Sequence, residues 1–175
     1  HSGVELAVDF GGGTFDAAVL DSRGGEPRVS GLAGVAVGGE VLDGVLFETR
    51  VGPQLELDRL PNWLFNEMRT QSSVRLLMAD PGIPDLLQRL GGEPAEVARR
   101  LLFEGLDYDF YRAVEAAKIA LSGAESTRLR FDPLDLDLPL QRTAFEAAIK
   151  PELDLVMAAV EGALAQAGLR PREVD

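Results

Sequence analysis

The run VDFGGGTFDAAVL, from Val8 to Leu20, constrains the fold of this chain more than any other feature. Two apolar runs of strand-like composition flank three consecutive glycines, a pattern typical of a β-hairpin closed by a tight turn. Glycine tolerates positive φ, and it lets backbone N–H groups come close to a bound anion. The turn therefore favours phosphate binding at Gly11, Gly12 and Gly13 over a purely structural role.

Two polar side chains beside the glycines fit the same chemistry. The carboxylate of Asp9, at the end of the first strand, suits a magnesium ion, and the hydroxyl of Thr14 suits a phosphate oxygen. The pattern is neither the P-loop, which ends in Gly-Lys-Ser/Thr, nor the GxGxxG fingerprint that opens a helix. Since a strand follows the glycines, a hairpin turn would hold the phosphate. The alternative is a tight turn in which Asp and Thr make only turn hydrogen bonds.

Composition excludes several classes of function. A length of 175 residues with 46% hydrophobic residues suits one domain, or one lobe of a larger one. The net charge of −12 argues against a nucleic acid or an anionic membrane as a partner. The absence of cysteine excludes thiolate metal sites and disulfides, and His1, the only histidine, leaves no internal histidine base. With no membrane-length apolar stretch and no signal peptide, we expect a cytoplasmic location.

The first two thirds of the chain predict a small sheet followed by helices. Residues 4–37 predict an antiparallel three-strand meander. Helical spacing follows over 40–51, and the Gly-Pro pair at 52–53 is expected to stop that helix. Residues 53–107 predict short helical segments separated by Pro and Gly, including helices over 60–79, 83–90 and 95–103. Their Trp, Phe and Met residues favour core packing over a partner surface.

The remaining third predicts two long helices around a second pair of strands. Tyr108 to Ser122 has the spacing of an amphipathic helix, and strands are expected over 127–131 and 136–141. A last helix is expected over 143–168, bent or interrupted at Pro151 and capped by Gly168. Its start has the pattern of a capping box, Thr143 with Glu146. Its predicted core stripe is Phe145, Ile149, Leu153, Val156, Val160 and Leu164.

Four motifs, taken in order, resemble the DnaK-type heat-shock protein 70 chaperones of the actin/sugar-kinase ATPase superfamily. They are DFGGGTFD at 9–16, VGGEVLD at 37–43, VEAAKIALS at 114–122 and TAFEAAI at 143–149. The resemblance implies a mixed α/β fold, lobe II of an actin-like ATPase. It places part of a ribonuclease-H-like subdomain at 1–38 and 143–175, with a mainly helical lobe-tip subdomain inserted at 39–142. The LPNWLF stretch is similar to short, divergent bacterial members.

The resemblance also implies ATP or ADP and Mg²⁺ as ligands. Asp9 would act through magnesium and its waters. The β- and γ-phosphates would face Gly11, Gly12, Gly13 and Thr14, so that Asp9 and Thr14 are the expected catalytic residues. The partners implied are the nucleotide, the missing lobe I of the parent chain, and a co-chaperone or client protein in a stress response.

Further site residues are implied beyond the glycine-rich turn. Gly39 would approach the phosphates or ribose with its backbone. Glu115, Lys118 and Ser122 share one helix face and would bind the ribose and the adenine edge. Taken alone, Glu115 and Lys118 are an ordinary solvated pair, so only the resemblance gives this face a function.

Three departures from the family pattern qualify these expectations. Ile119 stands where the family has an arginine that stacks on adenine, and the lost cation–π contact would weaken nucleotide binding. The segment 53–107 is longer than the usual lobe tip. Catalytic groups of lobe I and a later adenosine loop are missing, so we expect this chain to fold but not to hydrolyse ATP.

Three alternative functions remain open: a small-molecule kinase, an actin-like filament protein, and an interaction module that binds no nucleotide.

Overall fold

The computed structural model describes residues 3–174, and these residues form two compact units. The first unit runs to Val41 and resumes at Lys150, whereas the second is Leu42–Ile149. The strands are β1 (Val4–Phe10), β2 (Phe15–Asp21), β3 (Arg28–Val35), β4 (Ser126–Phe131) and β5 (Leu136–Gln141). The α-helices are α1 (Gly39–Leu46), α2 (Gly52–Gln54), α3 (Asn62–Glu67), α4 (Gln71–Ala79), α5 (Ile83–Leu90), α6 (Gly92–Phe103), α7 (Asp107–Gly123), α8 (Arg142–Ala148) and α9 (Lys150–Gln166). The fold is mixed α/β, as predicted for part of an actin-like ATPase lobe.

The first unit is the predicted meander with one long helix packed on it. β1, β2 and β3 pair antiparallel in that order. The alternation of strand side chains buries one sheet face against α9. The buried residues of this unit are Val4, Phe15, Ala17, Val19, Val37, Val156, Ala163 and Leu164.

Strand β3 approaches helix α9 so closely that a side chain would not fit at one position. A Cβ on Gly31 would lie 1.9 Å from the carbonyl oxygen of Ala163. Across the same interface, a Cβ on Gly162 would lie 3.9 Å from the Cβ of Ala33, an ordinary contact. Gly31 is therefore required where the sheet and the helix meet.

The helix predicted over 40–51 extends further than its sequence indicated. After α1 the chain forms a π-helix over Phe47–Val51 and then continues as α2. Gly52 keeps helical dihedrals, φ −58° and ψ −50°, and donates its N–H to the Phe47 carbonyl oxygen, so the helix passes through the Gly-Pro pair and ends at Gln54. The expectation that the Gly-Pro pair stops the helix was therefore wrong.

The short helices of the second unit mostly follow the predicted pattern. Helix α5 lies where it was expected, and α6 ends at the predicted Phe103 but begins earlier, at Gly92, with Pro94 in its first turn. The segment 60–79 is two helices rather than one. The break precedes α4, whose first turn is capped by Thr70, because the Thr70 hydroxyl accepts the Ser73 N–H at 3.2 Å.

Most of the apolar residues in this segment form core, as expected. Leu64, Met68 and Val74 are fully buried, whereas Trp63 is 50% and Leu76 is 73% exposed. Met68 also anchors α7, since its carbonyl oxygen accepts the buried Tyr111 hydroxyl at 2.5 Å. The buried stripe predicted for α7 is confirmed at all four positions, Phe110, Val114, Ala117 and Leu121.

The final helix is interrupted next to Pro151, as predicted, whereas the prediction of a capping box at its start was wrong. Helix α8 ends at Ala148 and α9 begins at Lys150, because a proline ring at 151 would clash with the preceding turn of a continuous helix. Gln141, without a side-chain cap bond, precedes α8, so Thr143 lies inside that helix.

The predicted core stripe of this helix is divided as well. Phe145 and Ile149 belong to the second unit, whereas Val156 and Leu164 are buried in the first, and Leu153 is 38% exposed.

Gly168 follows α9 at φ +69°, as expected for a helix-terminating glycine, and Leu169 donates its N–H to Leu164. Among residues 3–174, no helix combines the length and the apolar character needed to cross a bilayer.

Candidate functional site

The glycine-rich turn is a tight hairpin between β1 and β2. The Gly11 N–H donates to the Thr14 carbonyl oxygen at 2.8 Å, which closes the four-residue turn. Below it, Phe10 lies opposite Phe15 and Asp9 lies opposite Asp16 in the strand register. The predicted hairpin is therefore present, with its turn at the predicted residues.

The glycines are not required by the dihedral angles of the turn. None of Gly11, Gly12 and Gly13 has positive φ, so the conformational reason offered for them was wrong. A Cβ built on Gly12 or Gly13 would meet no heavy atom within 4 Å. Their missing side chains therefore leave open space above the turn.

The start of α1 binds the turn from one side. The N–H groups of Gly39 and Glu40 donate to the carbonyl oxygens of Gly11 and Gly12, at 3.0 and 2.7 Å. The first N–H groups of a helix lack partners within the helix, and here the turn supplies them. The backbones approach closely here: a Cβ on Gly38 would lie 2.5 Å from the carbonyl carbon and oxygen of Gly12, so only glycine fits at this position.

The same contact fixes the direction of the turn amides. A trans peptide points its N–H opposite to its C=O. Since the carbonyls of Gly11 and Gly12 point at α1, the N–H groups of Gly12 and Gly13 point away from it. Within residues 3–174 neither of these N–H groups donates to a protein acceptor. The turn thus presents two backbone donors, in open space, to a ligand.

The strands carry two carboxylates near the turn, and the turn itself carries a hydroxyl. Asp9 and Asp16 project from the sheet face opposite to α9, and both are exposed. The Thr14 hydroxyl is 3.3 Å from a carboxylate oxygen of Asp16. The side chain of Asp16 lies over Gly34, where a Cβ would be 2.5 Å from its Oδ1.

This donor set suits magnesium that also binds phosphate. Across residues 3–174, no group of three or more His, Cys, Asp or Glu side chains could hold a metal by itself. Magnesium usually keeps several waters and binds through one or two carboxylates together with substrate phosphates. A single carboxylate such as Asp9, beside donors for phosphate, fits that mode.

In the second unit, α7 carries the other predicted residues. Glu115 and Ser122 are exposed on it, and the Ser122 hydroxyl donates to the Ile119 carbonyl at 2.6 Å. Ile119 itself is 59% exposed. Lys118 is held in an ion pair, with its Nζ 2.9 Å from Oδ1 and 2.9 Å from Oδ2 of Asp43 on α1.

Similarity to known proteins agrees with these motifs. No family model matches the chain. It is 34% identical over 170 residues to the chaperone protein DnaK of one strain of Thermus thermophilus, and 33% identical to that of a second strain. The DnaK of Thermosipho africanus is 29% identical over 171 residues. Each alignment covers 97% of this chain. These matches identify the chain as a DnaK-type heat-shock protein 70 segment.

The chain corresponds to only part of a DnaK protein. It spans 23% of the length of the two Thermus relatives and 24% of the Thermosipho relative. Within this DnaK-type segment, the first unit holds Asp9, Gly11, Gly12, Gly13, Thr14 and Gly39, and the second holds Glu115, Lys118 and Ser122.

Sequence reasoning assigned no role in the site to Gly38 and Asp43. Gly38 and Asp43 stand in the quoted motif VGGEVLD, which was the only signal that they matter. The N–H of Gly39 donates to the Gly11 carbonyl oxygen at 3.0 Å, so this contact holds the start of α1 against the turn.

Proposed function

We propose that this chain is the nucleotide-binding lobe of a DnaK-like chaperone ATPase, and that it binds Mg²⁺ with ATP or ADP. The observation that carries the proposal is the outward direction of the Gly12 and Gly13 N–H groups, which α1 fixes through the turn carbonyls. Two preorganised backbone donors without side chains beside them suit phosphate oxygens.

The phosphate end of the nucleotide would lie at this turn. Gly11, Gly12, Gly13 and Thr14 would contact the β- and γ-phosphates, and Gly39 would allow the close approach of the ligand to the backbone. Asp9 would hold Mg²⁺ through its waters, and that ion would neutralise the phosphate charge. With this local arrangement, a chain of net charge −12 would be able to bind a polyanion.

The nucleoside end would contact helix α7. Glu115, Lys118 and Ser122 would bind the ribose and the edge of the adenine, as the family resemblance implies. Ile119 replaces the stacking cation of the family, so we expect weaker adenine binding than in members that have arginine there.

In the whole protein, the turn donors and Mg²⁺ would stabilise charge that develops as a water attacks the γ-phosphate in line. That reaction needs groups that converge from both lobes, and this chain holds only one of them. We therefore propose that the chain alone does not hydrolyse ATP. Its further partners would be lobe I and a co-chaperone or client, in the cytoplasm.

The test is a titration of the ¹⁵N-labelled chain with Mg·ADP into the millimolar range, followed by amide NMR. We expect the largest shifts at Gly12 and Gly13, and their loss in Asp9→Ala when magnesium is present. Hydrolysis of ATP is measured in parallel and should equal the buffer background. An unshifted turn at saturating ADP would refute nucleotide binding at this turn, and turnover by the chain would refute the need for lobe I.

A further inference from the structure

One ion pair of the second unit is far less exposed than the rest. The side chains of Lys118 and Asp43 are 15% and 17% exposed. In every other ion pair found within residues 3–174, both side chains are at least 28% exposed. The pair joins α1 to α7 over 75 positions of sequence.

Stability alone gives a poor reason for such a pair. The free-energy cost of removing two charges from water is about as large as the gain from their attraction. A buried ion pair therefore contributes little to folding stability compared with apolar packing. The ion pair does fix the position of the Lys118 side chain, because both carboxylate oxygens of Asp43 lie 2.9 Å from its ammonium nitrogen. Lys118 is a flexible side chain that Asp43 holds in one position.

The pair also sets the charge of the helix face. An ammonium held by a carboxylate is compensated, so it attracts a phosphate much less than a lone lysine does. Glu115 lies one helical turn away on the same face. Glu115 in turn interacts electrostatically with Arg112, so both cations named here, Lys118 and Arg112, already have a carboxylate partner. This face therefore suits neutral hydroxyls, which donate to carboxylates, and it disfavours an added anion.

We propose that Asp43 is a positioning and specificity-determining residue of this nucleoside face. It holds Lys118 for neutral sugar hydroxyls, and through the compensated charge it selects against nucleotides with a phosphate on the sugar hydroxyls. This inference rests on the proposed function of α7, since it concerns which nucleotide that helix accepts.

The binding test compares ADP with ADP that carries an added phosphate on its 3′-hydroxyl, on the unmodified chain and on Asp43→Asn. Calorimetry or NMR titration should show that the chain prefers ADP. Asp43→Asn should lower ADP affinity about tenfold and should narrow or reverse that preference, because Lys118 then carries uncompensated charge. Asp137→Asn is the matched control, since it removes an exposed pair of the same unit and should leave both affinities unchanged.

The reactivity of the Lys118 amine tests the ion pair with Asp43 in the absence of nucleotide. Lys118 and Lys150 are the only lysines, and Lys150 is 69% exposed. An amine-acylating reagent followed by mass spectrometry should modify Lys118 several-fold more slowly than Lys150. Asp43→Asn should remove most of that protection.

The outcomes separate the two proposals. An equal loss of both affinities in Asp43→Asn, or unchanged discrimination, would overturn the role of Asp43 while nucleotide binding itself stands. Failure of the unmodified chain to bind either nucleotide, with Lys118 still protected, would overturn the proposed function and this inference with it.

Discussion

The glycines in and beside the glycine-rich turn have different roles. Gly38 is required by packing, because any side chain there would collide with the backbone of Gly12. Gly12 and Gly13 have neither positive φ nor close neighbours. Folding therefore requires Gly38, whereas we propose that ligand binding requires the other two.

Alanine substitutions separate these tasks. Gly38→Ala should lower the free energy of unfolding by about 1–3 kcal/mol, because the hairpin must move away from α1. Gly13→Ala should keep or raise stability, by up to about 1 kcal/mol, since alanine restricts the unfolded chain. It should also lower ADP affinity about tenfold, as its methyl group fills the space for phosphate. Urea unfolding and ADP titration measure both effects, and a strongly destabilised Gly13→Ala would contradict this assignment.

The exposed Ile119 gives a second prediction at this scale. Ile119→Arg should raise affinity for ADP about five- to tenfold, because a guanidinium placed over adenine adds a cation–π contact of about 1 kcal/mol. Ile119→Lys is the control, since its ammonium stacks less well on a planar base. Competition between ADP and a non-aromatic ribose diphosphate measures the effect. An equal gain for both ligands would show that charge, rather than stacking, is responsible.

Among the elements, the contact of β3 with α9 forms the core of the first unit. Its closest point is Gly31 against the Ala163 carbonyl. Sequence periodicity predicted both elements. It did not predict that they meet at a glycine, because the distance between two elements depends on packing rather than on local pattern.

A matched pair of substitutions tests this contact. Gly31→Ala should lower the free energy of unfolding by about 3 kcal/mol, since a methyl group 1.9 Å from a carbonyl oxygen forces the strand and helix apart. Gly162→Ala, on the other side of the interface, should raise it by about 0.5–1 kcal/mol, because alanine favours helix and its Cβ meets only an ordinary contact. Thermal unfolding followed by circular dichroism compares the two. A Gly31→Ala variant as stable as the unmodified chain would contradict the requirement for glycine at this contact.

At the scale of the whole molecule, the two units have separate cores that share no buried residue. The segment 53–107 supplies much of the second core. Its fully buried members are Leu57, Leu64, Met68, Val74, Ala98, Leu101 and Leu102. This segment is thus structural, whatever its exposed residues Trp63 and Leu76 contact.

Deletion of residues 56–104 should therefore unfold the second unit rather than remove a surface. Hydrogen exchange should show lost protection in α7 and in β4–β5, because Phe47 and Phe110 lose their packing partners. Amides of β1–β3 should stay protected, since their core is intact. Trp63→Ser with Leu76→Ser is the control, and it should leave protection unchanged. Retained protection of α7 after the deletion would show that the segment is dispensable.

The sequence predicted local features well and long-range contacts poorly. The meander, the buried stripe of α7 and the glycine turn follow from periodicity and turn chemistry. The bonds from α1 to the turn and the pair of Asp43 with Lys118 join residues distant in sequence. The extended helix at Pro53 and the division at Ile149 depend on where each proline falls within a helical turn.

The open space above Gly12 and Gly13 has a consequence for how such a chain changes over generations. A mutation to alanine at either position would yield a protein that folds, accumulates and escapes quality control. Selection for a stable product would not remove it. Only selection for nucleotide binding would remove such a mutation. A lineage that no longer needs to bind nucleotide would therefore lose these two glycines before it lost Gly38 or Gly31.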